Sequence, residues 1–348
     1  MKFKIKNYFK NKIVLITGGT GTIGSALALE LLNYKCKAVR VLSNDENGLY
    51  ELFERVKIST KNNNSNNFDV NMLKAKIRYF LGDIRDYERC EEVTRNADIV
   101  IHAAAIKHVN ISEYNPSEAI KTNVIGTQNI LRASITNKVS KFLLISTDKV
   151  VSPTNIMGVS KLQSEKIAIN ASETKGKIIT KISCVRFGNI LGSRGSVIPK
   201  YINLIKNKKN LVVNHKDMAR FVMTIDDCKD MILKAIYLTK GKEIFILKSM
   251  RCFKILDLAN ELINFYKNKV SKVIIEKQNN FEKHYEELFN IDELNYLYDE
   301  NGFYIIKNKI NKKTLKHKKK FLSSRVSNFN YQKPKEIIAL LKKTGLVF

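Results

Sequence analysis

The sequence predicts an α/β protein with a Rossmann-like, doubly wound parallel sheet and a smaller C-terminal α+β region. Two observations predict this fold class. Short apolar runs alternate with helix-length segments through the first half of the chain, and a glycine-rich turn directly follows the first run. Such alternation is typical of βαβ units, whose right-handed crossovers place helices on both faces of a sheet. A chain of 348 residues is long enough for about two domains.

The first half of the chain contains six predicted strands with five predicted helices between them. The strands are 13–17, 38–42, 77–81, 98–102, 141–146 and 179–186. The helices lie near 24–33, 47–58, 86–96, 116–137 and 157–172. The stretch 60–67 reads TKNNNSNN, which is too polar for a packed element, and we predict a loop there.

After about residue 187 the alternation weakens, which predicts the α+β region. The predicted elements are helices at 197–207, 226–239, 255–267 and 334–343 and short strands at 211–213, 244–247 and 272–276. We predict one domain at 1–186 that also receives about 224–250, and a second that comprises mainly 187–348. The basic segment 307–320 is predicted to be a surface excursion before the last helix.

Composition limits where the protein works. Hydrophobic residues make up 44% of the chain, and its mean hydropathy is −0.23, which is typical of a soluble globular protein. No apolar run approaches the roughly 20 residues that a membrane span requires. The apolar stretch 13–16 after the basic start is too short for the core of a signal peptide. The sequence therefore predicts a cytoplasmic protein without a membrane span.

The formal net charge of +28 raises the alternative of a nucleic-acid-binding module. The lysines are spread along the whole chain, however, and only 315–320 (LKHKKK) forms a dense run. This distribution favours a solvated surface, and we expect no nucleic-acid partner. The five cysteines are scattered and include no C-x-x-C pair, so we expect reduced thiols and no metal site.

The glycine-rich turn predicts a dinucleotide site. Residues 17–24 read TGGTGTIG, between the first predicted strand and the first predicted helix, with Gly18, Gly21 and Gly24 spaced three apart. Glycine permits a tight turn and a close approach of the backbone to a pyrophosphate, and the helix that follows points free N–H groups at the anion. The strand–turn–helix context supports this interpretation over a merely structural glycine turn.

The segments after the second and third strands are predicted to contact the adenosine. Asp45 after the second strand favours a free ribose 2′-hydroxyl and hence NAD, while Arg40 leaves a 2′-phosphate and NADP open. Asp83 is placed to bond the adenine amino group, with an N-cap of the next helix as its structural alternative. Further predicted cofactor contacts are Thr22, Ile23, Asn44, Ile84, Ala103, Ala104 and Ala105.

The densest set of reactive side chains follows the fifth strand, at 146–161 (STDKVVSPTNIMGVSK). This edge is where open α/β sheets bind their ligands. Together with the segments 102–109, 113–129, 185–199 and 281–288, this stretch resembles the UDP-N-acetylglucosamine 4,6-dehydratases, also called CapD-like polysaccharide biosynthesis proteins, of the extended short-chain dehydrogenase superfamily. The resemblance runs from about residue 11 to the C-terminus and is strongest over 11–250.

The resemblance implies an enzyme of capsule or glycan synthesis that removes water from a UDP-sugar and recycles a tightly bound NAD or NADP. Thr147 matches the hydroxyl member of the dehydrogenase triad, and Asp148 matches the acid that protonates the leaving hydroxyl. Lys149 matches the base at C5, and Lys161 the lysine that binds the nicotinamide ribose. Lysine rather than glutamate after Asp148 implies inversion at C5. Self-association is also expected from the family.

Two features of this stretch affect the chemistry. Met157 occupies the triad position where dehydrogenases carry tyrosine, so another group must deprotonate the C4 hydroxyl. Lys149 can act as a base only when neutral, which near pH 7 requires its pKa to fall by about three units. We expect burial, Lys161 and the positive nicotinamide ring to lower that pKa. The alternative is that Asp148 and Lys149 pair only as ions on a loop.

The resemblance also implies a set of substrate contacts. These are Lys107, His108, Asn189, Gly195, Ser196, Val197, Arg220 and Glu282. Arg220 suits a diphosphate because its guanidinium offers a charged fork of donors. The chain departs from the family pattern at two points, with Ala219 where threonine is usual and Asn279-Asn280-Phe281 where Arg-Pro-Gly is usual. The missing arginine puts the identity of the nucleotide in doubt.

Three other functions remain open from the sequence. A UDP-hexose 4-epimerase could use the same scaffold, but it would depend on the tyrosine that Met157 replaces and would not need the Asp148–Lys149 pair. A catalytically silent dinucleotide-binding protein would also fit Met157. The nucleic-acid-binding module predicts strongly salt-dependent retention on DNA or RNA.

Overall fold

A computed structural model describes residues 1–61, 76–174, 179–276, 281–310 and 331–348. The chain forms two compact units, and each unit is assembled from separate stretches of sequence. The first unit comprises Met1–Ser146, Ser160–Val185 and Lys229–Phe245. The second comprises Thr147–Val159, Arg186–Cys228 and Ile246–Phe348.

The first unit contains a parallel sheet of the doubly wound type. Its strands are β1 (Ile13–Thr17), β2 (Ala38–Ser43), β3 (Ile77–Leu81), β4 (Ile99–His102), β5 (Lys141–Ile145) and β6 (Lys181–Arg186). They are hydrogen-bonded in the order β6-β5-β4-β1-β2-β3, and all five pairings are parallel. Successive strands are added on one side of β1 up to β3 and on the other side from β4 onward, so the strand order reverses between β1 and β4. Sheets of this type bind dinucleotides at that point.

Apolar runs form these strands because both faces of the sheet are covered. Every residue of β4 and of β5 is buried, as are the last four residues of β1. The helices of this half are α1 (Lys2–Phe9), α2 (Thr22–Leu32), α3 (Glu46–Lys61), α4 (Tyr87–Thr94), α5 (Val109–Tyr114), α6 (Pro116–Ala119), α7 (Thr127–Thr136) and α8 (Ile156–Thr174). A π-helical segment, Ile120–Gly126, joins α6 to α7.

The second unit is built from shorter elements. Its strands are β7 (Asn189–Ile190), β8 (Leu211–Val213), β9 (Ala219–Met223), β11 (Arg251–Lys254), β12 (Val273–Ile275), β13 (Leu297–Glu300) and β14 (Phe303–Ile306), and β10 (Ile244–Leu247) ends in it. Its helices are α9 (Val197–Lys206), α11 (Ile255–Phe265) and α12 (Pro334–Lys343), while α10 (Ile225–Leu238) begins here and continues in the first unit. Two 3₁₀ turns lie at Asp148–Val150 and Glu293–Tyr296.

Small sheets and one apolar cluster hold the second unit together. Strand β9 pairs antiparallel with β11 and parallel with β7, β12 pairs parallel with β8, and β13 and β14 form an antiparallel hairpin. The core packs α9, α11 and α12 around side chains such as Tyr201, Phe253 and Leu262. Burial of this apolar surface is the main stabilising contribution to the unit.

The fold class expected from the sequence is confirmed. All six strands of the first half lie where they were predicted, and α12 matches the predicted last helix residue for residue. The predicted helix 116–137 is interrupted by the π-helical segment, and α1 was not predicted because its alternating lysines (KFKIKNYF) hide the apolar pair Ile5 and Phe9. Predicted features at 62–67 and 311–320 lie outside the described residues. No helix in the described ranges is long and apolar enough to cross a membrane.

Candidate active site

The turn after β1 has the shape that a pyrophosphate requires. Gly18 has φ +65°, and a Cβ there would lie 2.7 Å from the backbone of Ala104. A Cβ on Gly24 would lie 2.4 Å from the carbonyl oxygen of Gly18. Helix α2 begins after Gly21 without a side-chain cap, so its first N–H groups remain oriented toward an anion at the turn. The turn is therefore well suited to a dinucleotide cofactor.

The backbone after β4 completes this side of the turn. The amide of Ala103 donates to the carbonyl of Thr17 at 3.1 Å, and that of Ala104 to the Thr17 hydroxyl at 3.3 Å. The π-helical segment contributes Asn123, whose side chain accepts from the amide of Ile106 at 2.8 Å and donates to its carbonyl at 3.0 Å. The predicted residues Ala103, Ala104 and Ala105 thus lie in a segment that is fixed at both ends.

Several of the polar side chains near the predicted adenosine contacts are hydrogen-bonded to one another. Asn44 donates to Asp83 at 3.3 Å, and Arg85 donates to Asp83 from two nitrogens, at 3.0 and 2.7 Å. Burial opposes ionisation of Asp83, but the hydrogen bonds and charge of Arg85 hold its pKa below the ordinary value. Asp83 is not the cap of the next helix, because Asp86 caps α4 by accepting from the amide of Arg89.

Two further predicted residues have hydrogen-bond partners within the first unit. Asp45 accepts from the amide of Gly48 at 2.9 Å. Arg40 donates to the carbonyls of Val93 and Arg95 at 2.8 and 2.6 Å. Because these carbonyls hold the Arg40 guanidinium, the side chain is a poor candidate for binding a ribose 2′-phosphate.

His102, which the sequence analysis did not single out, is a fully buried member of the first unit. Its two ring nitrogens lie 2.6 Å from the Thr17 hydroxyl and 2.9 Å from the Thr127 hydroxyl. Burial, with a smaller contribution from the charge of Lys161, lowers its pKa to about 3. His102 is therefore a neutral ring that fixes the end of β4 next to the segment containing the three alanines.

Lys161 is buried in the first unit, and its ammonium donates to the carbonyl of Ile145 at 2.6 Å. Burial lowers the pKa of Lys161 to about 8, against the opposing influence of Cys184 and Glu165. Met157 lies four residues earlier in α8 and is only 4% exposed.

The predicted substrate residues Lys107 and His108 directly precede α5. Burial, together with the charge of Lys107, lowers the pKa of His108.

In the second unit, the 3₁₀ turn after β5 places Asp148 and Lys149 in a buried ionic group. The ammonium of Lys149 lies 2.9 Å from Asp148 Oδ1 and 2.9 Å from Asn189 Oδ1. The Thr147 hydroxyl donates to Asp148 Oδ1 at 2.9 Å, and the amide of Asp148 donates to the carbonyl of Phe187. Four of the predicted site residues, Thr147, Asp148, Lys149 and Asn189, are thus connected by hydrogen bonds.

Glu286 and Arg220 extend this group, which we call the acid–amine cluster (Thr147, Asp148, Lys149, Asn189, Arg220 and Glu286). Glu286 Oε1 lies 3.9 Å from Lys149 Nζ and 3.8 Å from Arg220 Nε. Arg220 also donates to the carbonyls of Ala219 and His284, and its Nη2 lies 3.6 Å from Glu282. The guanidinium therefore has intramolecular partners, with which a diphosphate would compete.

Two carboxylate oxygens in the cluster are buried and make no hydrogen bond within the described part of the chain. They are Asp148 Oδ2 and Glu286 Oε2. A buried carboxylate oxygen without a donor is costly, so native structures rarely retain one without a function. Glu286 lies in the segment 281–288 that contributes to the family resemblance, but it was not predicted as a site residue, because only its long-range contacts distinguish it from Glu287.

The charges of the cluster act on one another. Burial raises the pKa of Asp148, and Glu286 raises it further, against the opposing effect of Lys149. Burial lowers the pKa of Lys149, but the carboxylates of Asp148 and Glu286 outweigh burial and raise it above the ordinary value. The expectation that the site lowers this pKa is thus wrong for the protein alone, because it omitted the charges of Asp148 and Glu286.

The remaining predicted substrate residues lie at the start of α9. Gly195 has φ +73°, Ser196 is the N-cap residue, and Val197 opens the helix. The Ser196 hydroxyl is buried and makes no hydrogen bond to any described residue, while Glu282 accepts from Asn214 at 3.1 Å. The second unit therefore contains further polar groups that could contact a ligand.

Comparison with known proteins identifies relatives over most of the chain. A family described as polysaccharide biosynthesis protein matches residues 14–308. An uncharacterized membrane protein of Methanocaldococcus jannaschii is 41% identical over 320 residues, which cover 88% of this chain and 91% of that protein. A Rickettsia akari protein named UDP-glucose 4-epimerase is 37% identical over 86% of this chain and 83% of its own length.

Solved structures share the fold. Pen from Bacillus thuringiensis has a TM-score of 0.84 at 36% identity, covering 97% of this chain and 99% of its own. DesIV from Streptomyces venezuelae, a dTDP-glucose 4,6-dehydratase solved with NAD bound, has a TM-score of 0.65 at 21% identity, covering 77% of this chain and 86% of its own. At 21% identity, the similarity to DesIV shows a shared fold only.

Proposed function

Because the chain belongs to the polysaccharide biosynthesis protein family, we propose that it is an NAD-dependent 4,6-dehydratase of a UDP-linked sugar. UDP-N-acetylglucosamine is the proposed substrate, and C5 is inverted. The observation that carries this proposal is the buried Asp148–Lys149 pair, in which Nζ lies 2.9 Å from Oδ1 while Oδ2 makes no hydrogen bond within the described residues. Loss of water from a sugar requires an acid and a base at neighbouring carbons, and this pair offers both.

The shape of the glycine turn supports a dinucleotide cofactor, and the occupation of Arg40 by two carbonyls supports NAD over NADP. DesIV, which shares the fold, was solved with NAD bound. When bound, the nicotinamide accepts hydride from C4 of the sugar and later returns it to C6. Lys161, whose ammonium is fixed by the Ile145 carbonyl, is the proposed donor to the nicotinamide ribose.

In the proposed elimination, Asp148 and Lys149 share one proton. Burial and Glu286 favour the protonated form of Asp148, and the ammonium of Lys149 is already in hydrogen-bond contact with it. Transfer of that proton from Nζ to Oδ1 leaves a neutral amine and a carboxylic acid. The amine then takes the C5 proton, the carboxylic acid gives its proton to the C6 hydroxyl, and water leaves, so protons balance and the pair returns to its charged form.

The proton of the C4 hydroxyl needs a different acceptor, because the thioether of Met157 cannot take one. Thr147 is the proposed relay, since its hydroxyl donates to Asp148 Oδ1 at 2.9 Å and can accept from a sugar hydroxyl at the same time. A proton that leaves C4–OH can thereby reach Asp148, which passes it to solvent before the pair transfers its own proton. When hydride returns to C6, the Lys149 ammonium gives a proton to C5 and is reprotonated from solvent, so that one proton is released and one is taken up. This route would make the hydride step independent of the usual tyrosine.

The second candidate function is a UDP-hexose 4-epimerase, which is favoured by the name of the Rickettsia akari relative, UDP-glucose 4-epimerase. An epimerase moves hydride and one proton at C4 only and has no step for a base at C5. The buried pair and the methionine at position 157 argue for dehydration. The catalytically silent alternative would bind the dinucleotide without turnover.

The test is to incubate the purified protein with NAD and, separately, with UDP-N-acetylglucosamine, UDP-glucose and dTDP-glucose, followed by mass spectrometry. A product lighter than its substrate by one water, with uptake of one deuterium at C5 in D₂O, is the expected result. An isobaric product would establish epimerisation instead. No product from any of the three sugars, with NAD bound, would support the silent alternative.

A further inference from the structure

We propose that Glu286 is a positioning residue of the acid–amine cluster: its carboxylate, shared between Lys149 and Arg220, holds the Lys149 amine in place and sets the pH range in which that amine is neutral. The proposal rests on the proposed function insofar as Lys149 is the base of that reaction. Glu286 would act through Lys149 and would not touch the sugar.

The geometry places one carboxylate oxygen against two cations. Glu286 Oε1 is 3.9 Å from Lys149 Nζ and 3.8 Å from Arg220 Nε, and the Glu286 side chain is 3% exposed. Lys149 is thus flanked by Asp148 on one side and Glu286 on the other, and Asn189 accepts a third contact. Two hydrogen bonds, to Asp148 and Asn189, and one ion pair, with Glu286, restrict the positions that Nζ can occupy.

Other charges face this carboxylate from three parts of the second unit. Asp148 and Lys149 come from the 3₁₀ turn, Arg220 from β9, and Lys283 from the segment that also carries Glu286. Lys283 is held by the carbonyl of Val151, and Glu282 by Asn214. Glu286 thus has an ion-pair contact with both Lys149 and Arg220.

The charge of Glu286 determines the direction in which the pKa values of Lys149 and Asp148 change. The negative charge of Glu286 favours the charged form of Lys149 and the protonated form of Asp148. Glu286→Gln removes that charge and keeps the size of the side chain, so the pKa values of both groups should fall. An opposite charge at 4–6 Å typically shifts a pKa by roughly 1–3 units.

The first experiment measures Lys149 directly and needs no turnover. Wild type, Glu286→Gln and Glu287→Gln are labelled with trace acetic anhydride between pH 6 and 11, and acetylation of Lys149 is followed by peptide mass spectrometry, with exposed Lys200 as the internal reference. Glu286→Gln should lower the midpoint for Lys149 by about one unit or more. Glu287→Gln, the matched control on the adjacent residue, should leave that midpoint in place.

An unchanged midpoint in Glu286→Gln, or an equal shift in both variants, would overturn the proposal. Glu286→Asp should restore most of the midpoint, because it keeps the charge. If Glu286→Gln fails to fold, the wild type still provides a test. Lys149 should acetylate with a midpoint above the ordinary lysine value of about 10.4, and a midpoint at or below that value would contradict the role of Glu286.

The second experiment uses the dehydration assay. The acidic limb of kcat against pH should move to lower pH in Glu286→Gln and stay in place in Glu287→Gln, while the affinity for NAD is unchanged in both. A purely structural role predicts a lower melting temperature with the pH profile unmoved. If the wild type produces no dehydrated sugar, the proposed function fails, and the labelling experiment still decides the role of Glu286.

Discussion

Two ion pairs of the second unit, each with one fully buried side chain, differ in how many carboxylate oxygens accept hydrogen bonds. In the first, Arg186 donates to both oxygens of Glu293, at 2.9 and 2.6 Å, and the guanidinium is 1% exposed. In the second, Lys149 donates to one oxygen of Asp148, and the other oxygen is buried without a hydrogen bond to any described residue. Both pairs bury charge, but only the first uses both oxygens of its carboxylate.

The difference separates a pair that holds the fold from a pair that is available for chemistry. A buried ion pair stabilises a fold only when further hydrogen bonds offset the desolvation of both ions, as the forked Arg186–Glu293 contact does. The Asp148–Lys149 pair leaves part of that desolvation unbalanced. The Asp148–Lys149 pair should therefore contribute little to stability and much to activity. The Arg186–Glu293 pair should contribute much to stability and little to activity.

The largest expected effect is on catalysis, in Asp148→Asn. Loss of a group that both gives and takes a proton should lower kcat for dehydration by about 10²- to 10⁴-fold. The asparagine keeps the shape, and Lys149 retains Asn189 and Glu286 as partners, so the unfolding free energy should fall less than in Arg186→Met. Steady-state kinetics and urea unfolding measure the two effects. Unchanged kcat, with Glu287→Gln as the active control, would contradict the role of Asp148.

The next effect is on stability, in Arg186→Met. This change leaves Glu293, whose side chain is 16% exposed, without its guanidinium partner, which should lower the unfolding free energy by about 3 kcal/mol, the lower end of the range for buried pairs. The matched control is Lys248→Met, since Lys248 pairs with Asp299 at 2.5 Å but both side chains are over a third exposed. That variant should lose no more than about 1 kcal/mol. Equal losses in the two variants would mean that burial does not distinguish these pairs.

A third test concerns the glycine turn after β1, which is uncharged and whose predicted cofactor binding depends on the close approach of its backbone. In Gly24→Ala, the new Cβ would lie 2.4 Å from the Gly18 carbonyl oxygen and 2.6 Å from Gly19 Cα, so the turn must shift. Such overpacking costs about 1–3 kcal/mol, and the affinity for NAD should fall because the turn is displaced. Calorimetric titration with NAD measures this. Asp148→Asn should retain its affinity, and equal losses would contradict the separation of the two roles.

The fold was predictable because its signals are local. Strands β1, β4 and β5 are nearly continuous apolar runs, and the glycine turn lies within eight residues of sequence. Strands β9 and β11 were missed because they are short and are defined by pairing across the chain, as between Arg251 and Val222. The hairpin of β13 and β14 was missed for the same reason, since neither strand exceeds four residues.

The residues of the candidate site also divide into those that local motifs predicted and those that only contacts across the chain reveal. Asp148, Lys149 and the glycines were found because they occur in short motifs, whereas Glu286 acts on Lys149 from 137 positions away, as the numbers of the two residues show. The direction of the Lys149 pKa could not be predicted, because it depends on whether two carboxylates outweigh burial. The occupation of Arg40 by two carbonyls of a distant turn was likewise not a local feature.

The smallest expected effect concerns His102, a buried polar group that is satisfied without charge by the Thr17 and Thr127 hydroxyls. Its pKa is about 3 in the folded protein against 6.5 ordinarily. Below pH 6.5 the unfolded chain therefore takes up a proton that the folded protein does not. The stabilising contribution of the neutral ring is complete above pH 6.5 and declines between pH 6.5 and 3, by at most about 1.4 kcal/mol per pH unit.

His102→Gln removes this titration and keeps a polar side chain between the two threonines. Urea unfolding at pH 7.5, 6.5, 5.5 and 4.5 should show the wild type losing stability faster than the variant as the pH falls, although the variant is the less stable protein at pH 7.5. The difference between the two curves isolates His102 from the carboxylates that titrate in both proteins. Parallel curves would mean that the ring is protonated in the folded state, and that the two hydroxyls satisfy a cation.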